Sequence, residues 1–134
     1  MVFKGHVQGY RSGLEETLAA QLKAAGIEAE YEAGKITYVT PAKAHKYTWD
    51  FKLPNGIIIE SKGRFLSADR QKHLLIKQQH PGLDIRFVFS RSKTTISKAS
   101  KTTYADWCTK NGFAFADKFI PHEWLQEPPK GTHE

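Results

Sequence analysis

Asp50, Glu60 and Lys62 are the residues of this chain whose types and spacing point most directly to chemistry. They lie on Thr48-Trp49-Asp50-Phe51-Lys52-Leu53, Pro54-Asn55-Gly56 and Ile57-Ile58-Ile59-Glu60-Ser61-Lys62, which together read as a β-hairpin. Trp49, Phe51 and Leu53 alternate with Asp50 and Lys52, the period-two pattern of a half-buried strand. The β-branched run Ile57 to Ile59 predicts a second strand covered on both faces. Pro54 suits the first central position of a type I turn, and Gly56 suits the left-handed residue closing a three-residue loop. That loop sets Leu53 opposite Ile57 and Asp50 opposite Glu60, with Cβ atoms about 4.5–5.5 Å apart on one face. A two-residue Asn55-Gly56 loop would pair Asp50 with Ser61 and separate the acids; Pro54 favours the longer loop.

Opposed carboxylates repel unless one is protonated or a cation lies between them. Carboxylate oxygens with no Cys or His beside them favour a hard ion, Mg²⁺ or Mn²⁺. Lys62 follows Glu60 by two residues and so projects to the same face, where it can stabilise negative charge or orient a water. The bland alternative is a solvated hairpin in which Glu60 pairs with Lys52 or Lys62. The apolar residues flanking all of these positions argue against it.

The surrounding elements must position this hairpin. Ser12-Gly13-Leu14-Glu15 reads as a capping box that opens a helix, with Leu14, Leu18 and Leu22 at helical spacing until Gly26. Glu15 shares the inward face of Leu18 and Leu22, so its carboxylate either does chemistry or caps Ser12; spacing alone favours the cap. Residues 28–31 and 36–40 read as strands joined by Gly34, and 41–46 as a basic loop. A helix is expected from Ser67 or Asp69 to Gln79, with Leu74, Leu75 and Gln78 covered and Arg70, Lys72, His73 and Lys77 forming a basic remainder. Ile85 to Phe89 reads as a buried strand and Thr103 to Asn111 as a helix stopped by Gly112.

The chain has 134 residues, is 40% hydrophobic and carries a net charge of +6. That supports one domain, divided here into a basic arm (1–11), a core (12–125) and a tail (126–134), and a polyanionic partner. A single cysteine, Cys108, excludes an internal disulfide framework. With no apolar leader or run long enough to span a membrane, the sequence reads as cytoplasmic. Candidate DNA contacts are Lys4 and Arg11 of the arm, Lys43, His45 and Lys46 of the basic loop, Arg64, and Arg70 and Lys72 of the helix. Arg91, Lys93, Lys98 and Lys101 join them from a segment rich in hydroxyls and free of acids, a composition suited to phosphate contacts.

Asp50, Glu60 and Lys62 have the shape of the PD-(D/E)xK nuclease signature. Arg11 to Glu15, Thr48 to Gly56, Glu60 to Gly63, Asp69-Arg70 with Lys72 to Ile76, and His80-Pro81 with Leu83 to Arg86 resemble the endonuclease I family of T-seven-like phages, which are Holliday-junction resolvases. The likeness runs through nearly the whole chain in order. It implies a restriction-endonuclease-like mixed β-sheet flanked by helices in an intertwined, domain-swapped homodimer with composite sites. It also implies that Glu15, Asp50, Glu60 and Lys62 are catalytic, overturning the cap preference for Glu15. Glu15, Asp50 and Glu60, with the Ser61 carbonyl, would hold two Mg²⁺ ions, or Mn²⁺ in their place. The substrate implied is branched DNA, hydrolysed to leave 5′-phosphate ends. The alternatives are a repair or restriction-type nuclease acting on flaps or mismatches, or a non-catalytic DNA-binding module. Trp49 stands where the superfamily name has proline, and the tail is short and ends acidic where relatives carry a longer basic end.

Overall fold

The computed structural model describes residues 12–40 and 44–130. Lys4, Arg11 and Lys43, and the basic arm as a whole, therefore lie outside the described residues. The elements run α1 (Gly13–Ala24), β1 (Glu30–Tyr31), β2 (Lys35–Val39), β3 (Ala44–Thr48), β4 (Phe51–Lys52), β5 (Ile58–Lys62), α2 (Ser67–Gln79), β6 (Ile85–Phe89), α3 (Tyr104–Asn111), β7 (Phe115–Asp117) and α4 (His122–Gln126).

Five strands form one mixed sheet in the order β1-β4-β5-β6-β7, and β2 with β3 forms a separate two-stranded ribbon. β1, β4 and β5 are antiparallel, whereas β5, β6 and β7 are parallel. Parallel neighbours need crossover connections, and α2 and α3 supply them. Side-chain alternation then divides the core. Ile58, Phe87 and Phe89 pack with Phe65, Ile76, Trp107 and Phe113 on one face. Ile59 and Val88 pack with Leu18, Leu22, Phe51 and Ile120 on the other. The result is the expected mixed sheet flanked by helices.

The hairpin register is the one the turn chemistry predicted. Phe51 pairs with Ile59 and Lys52 with Ile58, and the Leu53 amide donates to the Ile57 carbonyl at 2.8 Å. Gly56 takes φ +95°, and the Asn55 side chain accepts from the Ile57 amide at 3.1 Å, so the three-residue loop is closed at both ends. The first arm is shorter than predicted. β4 begins only at Phe51, and at Asp50 the main chain turns instead to accept from the Glu32 amide at 3.0 Å.

Several elements depart from the sequence reading. Residues 44–46, expected in a basic loop, belong to β3, which pairs with β2 along its whole length, so His45 and Lys46 sit on a strand. In α2 the buried residues are His73 and Ile76, with Leu74 and Leu75 half-buried and Gln78 exposed. His73 thus belongs to the core and not to the basic face. The helical period narrows the choice of face but does not decide which of two adjacent stripes meets the sheet. No helix among the described residues is long and apolar enough to cross a membrane.

Candidate active site

The acidic residues converge from four separate segments: Glu15 from α1, Glu32 from the bend after β1, Asp50 from the bend before β4 and Glu60 from β5. The Ser12 hydroxyl accepts from the Glu15 amide at 3.0 Å and caps α1, which fixes the first helical turn and buries Glu15 to 5% exposure. Only the Ser12 half of the expected capping box is seen, and the Glu15 carboxylate instead accepts from the Tyr31 hydroxyl at 2.9 Å. Asp50 follows the strand break at the hairpin's open end. Its Oδ2 accepts from both the amide and the hydroxyl of Ser61, at 2.8 and 3.0 Å. Carboxylate oxygens of Glu15, Asp50 and a third acid, Glu32, lie within 4.8 Å of one another.

Glu60 lies deeper, 3% exposed. Its Oε2 accepts from the Tyr47 hydroxyl at 2.5 Å, and its Oε1 lies 3.9 Å from Lys62 Nζ and 3.8 Å from His73 Nε2. Lys62 is held on its other side by Asp69 Oδ1 at 3.4 Å. The face shared by Glu60 and Lys62 is the one predicted from their spacing.

The electrostatics identify which group is under most stress. Burial, then the charges of Glu60 and Glu15, push the Asp50 carboxyl up to about 8, although the two hydrogen bonds from Ser61 pull the other way. The charged form of Asp50 is therefore costly, and a bound cation would relieve that cost. Burial also raises Glu60, opposed chiefly by Lys62 and the Tyr47 hydrogen bond. Burial raises Tyr31 and Tyr47 above the ordinary phenol range, with Glu15 and Glu60 respectively adding to it, so both remain hydroxyl donors. Burial, with Lys72 and Lys62 nearby, lowers His73, which is neutral. Hard oxygen donors from four segments, with like-charge repulsion among them, fit a divalent cation such as Mg²⁺ or Mn²⁺.

The candidate DNA contacts divide by position. Ser90, next to Arg91, donates its amide to the Lys62 carbonyl at 3.1 Å, so the segment carrying Arg91, Lys93, Lys98 and Lys101 starts beside the acids. All four cations are exposed. Asp117 at the end of β7 anchors this segment by accepting from the Ser92 amide and hydroxyl at 2.6 and 2.8 Å. Lys72 is half-buried, with its ammonium 5.6 Å from the Tyr47 ring centre. Arg70 donates to the Phe65 carbonyl at 2.6 Å, which commits part of its guanidinium to the fold. His45 stacks on Tyr38 at 5.1 Å, while Lys46 and Arg64 are exposed.

The family model described as phage endonuclease I matches residues 2–133. The chain belongs to the phage endonuclease I family. It is 56% identical over 124 residues to endonuclease I of Escherichia phage T7, covering 92% of this chain and 83% of that protein. It is 53% identical over 123 residues to endodeoxyribonuclease 1 of Enterobacteria phage T3, covering 92% and 81% respectively. Membership places the chain among endonucleases.

In this phage endonuclease I family member the sequence reading missed Glu32, Tyr31, Tyr47, His73 and Asp117. Glu32 enters because its amide pairs with the Asp50 carbonyl and its φ is +47°, a conformation that no spacing rule assigns to a glutamate. Tyr47, three residues before Asp50 on a strand of its own, carried a signal in its aromatic character within an otherwise polar run.

Proposed function

We propose that this chain is a metal-dependent, structure-selective endodeoxyribonuclease that cuts branched DNA, four-way junctions foremost, and acts as a homodimer. The observation that carries this reading is the gathering of Glu15, Glu32 and Asp50 within 4.8 Å, next to buried Glu60 and the Lys62 ammonium. An isolated domain gains nothing from such mutual repulsion, whereas bound cations turn it into affinity.

Glu15, Asp50 and Glu60, with the Ser61 carbonyl, would hold Mg²⁺ or Mn²⁺, and Glu32 offers a further carboxylate. Ions held there would supply Lewis-acid stabilisation to the scissile phosphate and would lower the cost of deprotonating the attacking water. Lys62 lies on the reacting side of Glu60 and donates to a phosphate oxygen or to the water, its ammonium aimed by Asp69. The water oxygen bonds to phosphorus as the bond from phosphorus to the 3′ oxygen breaks, leaving 5′-phosphate and 3′-hydroxyl ends. The exposed cations of residues 91–101 neutralise backbone phosphates on either side without reading bases.

Two copies related by a two-fold axis present two such centres, matching the two strands that must be cut to resolve a junction. Branch selectivity follows from shape and bendability, because no described helix is laid out to read base edges.

The test uses purified protein with Mg²⁺ on a four-way junction and on a linear duplex of the same sequence. Paired cuts in the junction at a rate far above that of the duplex are expected; equal rates would refute branch selectivity and leave a general nuclease. Lys62→Ala should abolish cleavage while leaving junction binding intact. A Lys62→Ala protein that still cuts would sink the assignment.

A further inference from the structure

The grip on Glu60 involves two groups that the cleavage chemistry never touches. The Tyr47 hydroxyl occupies Oε2 at 2.5 Å, leaving Oε1 for His73 Nε2 and Lys62 Nζ, at 3.8 and 3.9 Å. His73 is 0% exposed, and both of its ring nitrogens lack a hydrogen-bond partner among the described residues. Its ring is wedged edge-on between Tyr47, at 5.2 Å and 83°, and Phe87, at 4.9 Å and 82°. In that apolar wall a phenylalanine or leucine would pack without the cost of unpaired nitrogens. The Glu60 carboxylate gives the imidazole a reason to be there: a closure of about 1 Å brings Nε2 within hydrogen-bond distance of Oε1.

We propose that Tyr47 and His73 are positioning residues that clamp Glu60 from its buried side and turn its carboxylate toward the bound ion and Lys62. The inference rests on the metal-dependent reading above. Tyr47, from the β2–β3 ribbon, holds one oxygen, and His73, from α2, steadies the other, so Glu60 is fixed by two elements that the main sheet does not contain. A carboxylate ligand fixed in this way meets the ion without first losing rotational freedom, the usual contribution of groups behind a metal ligand.

The test measures Mn²⁺ affinity by isothermal titration calorimetry and thermal stability on wild type, Tyr47→Phe, His73→Phe and His73→Gln. Tyr47→Phe and His73→Phe should each weaken Mn²⁺ binding about tenfold or more. The Tm of His73→Phe should stay at or above that of wild type, because the unpaired nitrogens are gone. His73→Gln, which returns an amide donor near the Nε2 position, should recover most of the affinity. Wild-type affinity in either phenylalanine variant overturns the clamp, as does an affinity loss in His73→Phe that is matched by a fall in Tm. If Phe does not fit at His73, His73→Leu provides the apolar control. Wild-type protein that binds no Mn²⁺ would overturn the metal-dependent reading itself, so the two failures are distinguishable.

Discussion

The indole of Trp49 covers Gly34 so closely that a Cβ placed there would lie 1.8 Å from Trp49 Cη2 and 2.3 Å from Cζ2. Trp49 is 8% exposed, and its side chain ties the turn after β1 to the residue immediately before Asp50. A tryptophan in this position makes the absence of a side chain at Gly34 a condition for placing Asp50.

Gly34→Ala should cost about 1–3 kcal/mol, the usual range for overpacking. In a Trp49→Ala background the same change should cost almost nothing further, because the obstructing ring is gone. Urea denaturation of the four proteins measures the coupling. Additive losses would mean that the indole yields without strain.

Asp50 is buried among acids and relies on two Ser61 hydrogen bonds. Asp50→Asn keeps the side-chain shape and removes the charge. The metal-free variant should melt at or above wild type, by up to about 4 °C, while the rise in Tm expected of wild type with Mg²⁺ should be absent from the variant. Differential scanning calorimetry with and without Mg²⁺ measures both quantities. A variant that keeps the Mg²⁺ response would remove Asp50 from the ligand set.

The exposed cations at positions 91, 93, 98 and 101 start beside Lys62. If Lys93, Lys98 and Lys101 each neutralise one phosphate, replacing all three with Ala should reduce the slope of log affinity against log salt by about 2.7, at about 0.9 per contact. The loss should be equal for junctions of different sequence. An unchanged slope would assign these lysines to solvent.

Arg86 reaches Asp84 through two hydrogen bonds of 2.9 and 2.7 Å, and Glu127 through two more of 2.7 and 2.9 Å. Burial pushes the Asp84 carboxyl up, but its hydrogen bonds to Arg86 and Lys130 outweigh that, and the net shift is below its ordinary value of 3.8. A carboxyl lowered by folding stabilises the protein fully above that ordinary value, and its contribution fades as pH falls through the lowered one. Arg86→Met should therefore reduce stability at neutral pH and flatten the loss of stability below about pH 4. Urea midpoints followed from pH 7 to pH 2 measure the effect, and parallel curves for variant and wild type would contradict it.

Local chemistry made the hairpin legible in the sequence. Pro54 and Gly56 set the loop and alternation set the faces, and together they fixed the pairing of Phe51 with Ile59 and of Lys52 with Ile58, but the expected Asp50–Glu60 pair is not formed because the main chain turns away at Asp50. Glu15 was legible as an inward residue of α1 because Leu18 and Leu22 share its stripe. β3 was not, since Ala44, His45 and Lys46 lack the branched or aromatic side chains that mark a strand, and only pairing with β2 makes them one. Glu32 and His73 depend on tertiary placement: one on an amide bonded across to Asp50, the other on which stripe of α2 turns to the sheet. Asp117 sits at the end of a three-residue strand, too short for a periodicity to show.

The three-residue turn after Leu53 acts as a ruler as well as a connector. Because side chains alternate along β4, one residue added or lost there would flip Phe51 and its neighbours to the opposite face and draw Asp50 away from Ser61, while leaving every acid and Lys62 in the chain. Such a protein would keep every acid and its overall charge, but Phe51 and Leu53 would be turned out of the core and the carboxylates would no longer meet. What has to be inherited is therefore a distance counted along the chain, nine residues between Asp50 and Glu60, and a copy judged only by the presence of these side chains would pass as active when it is not.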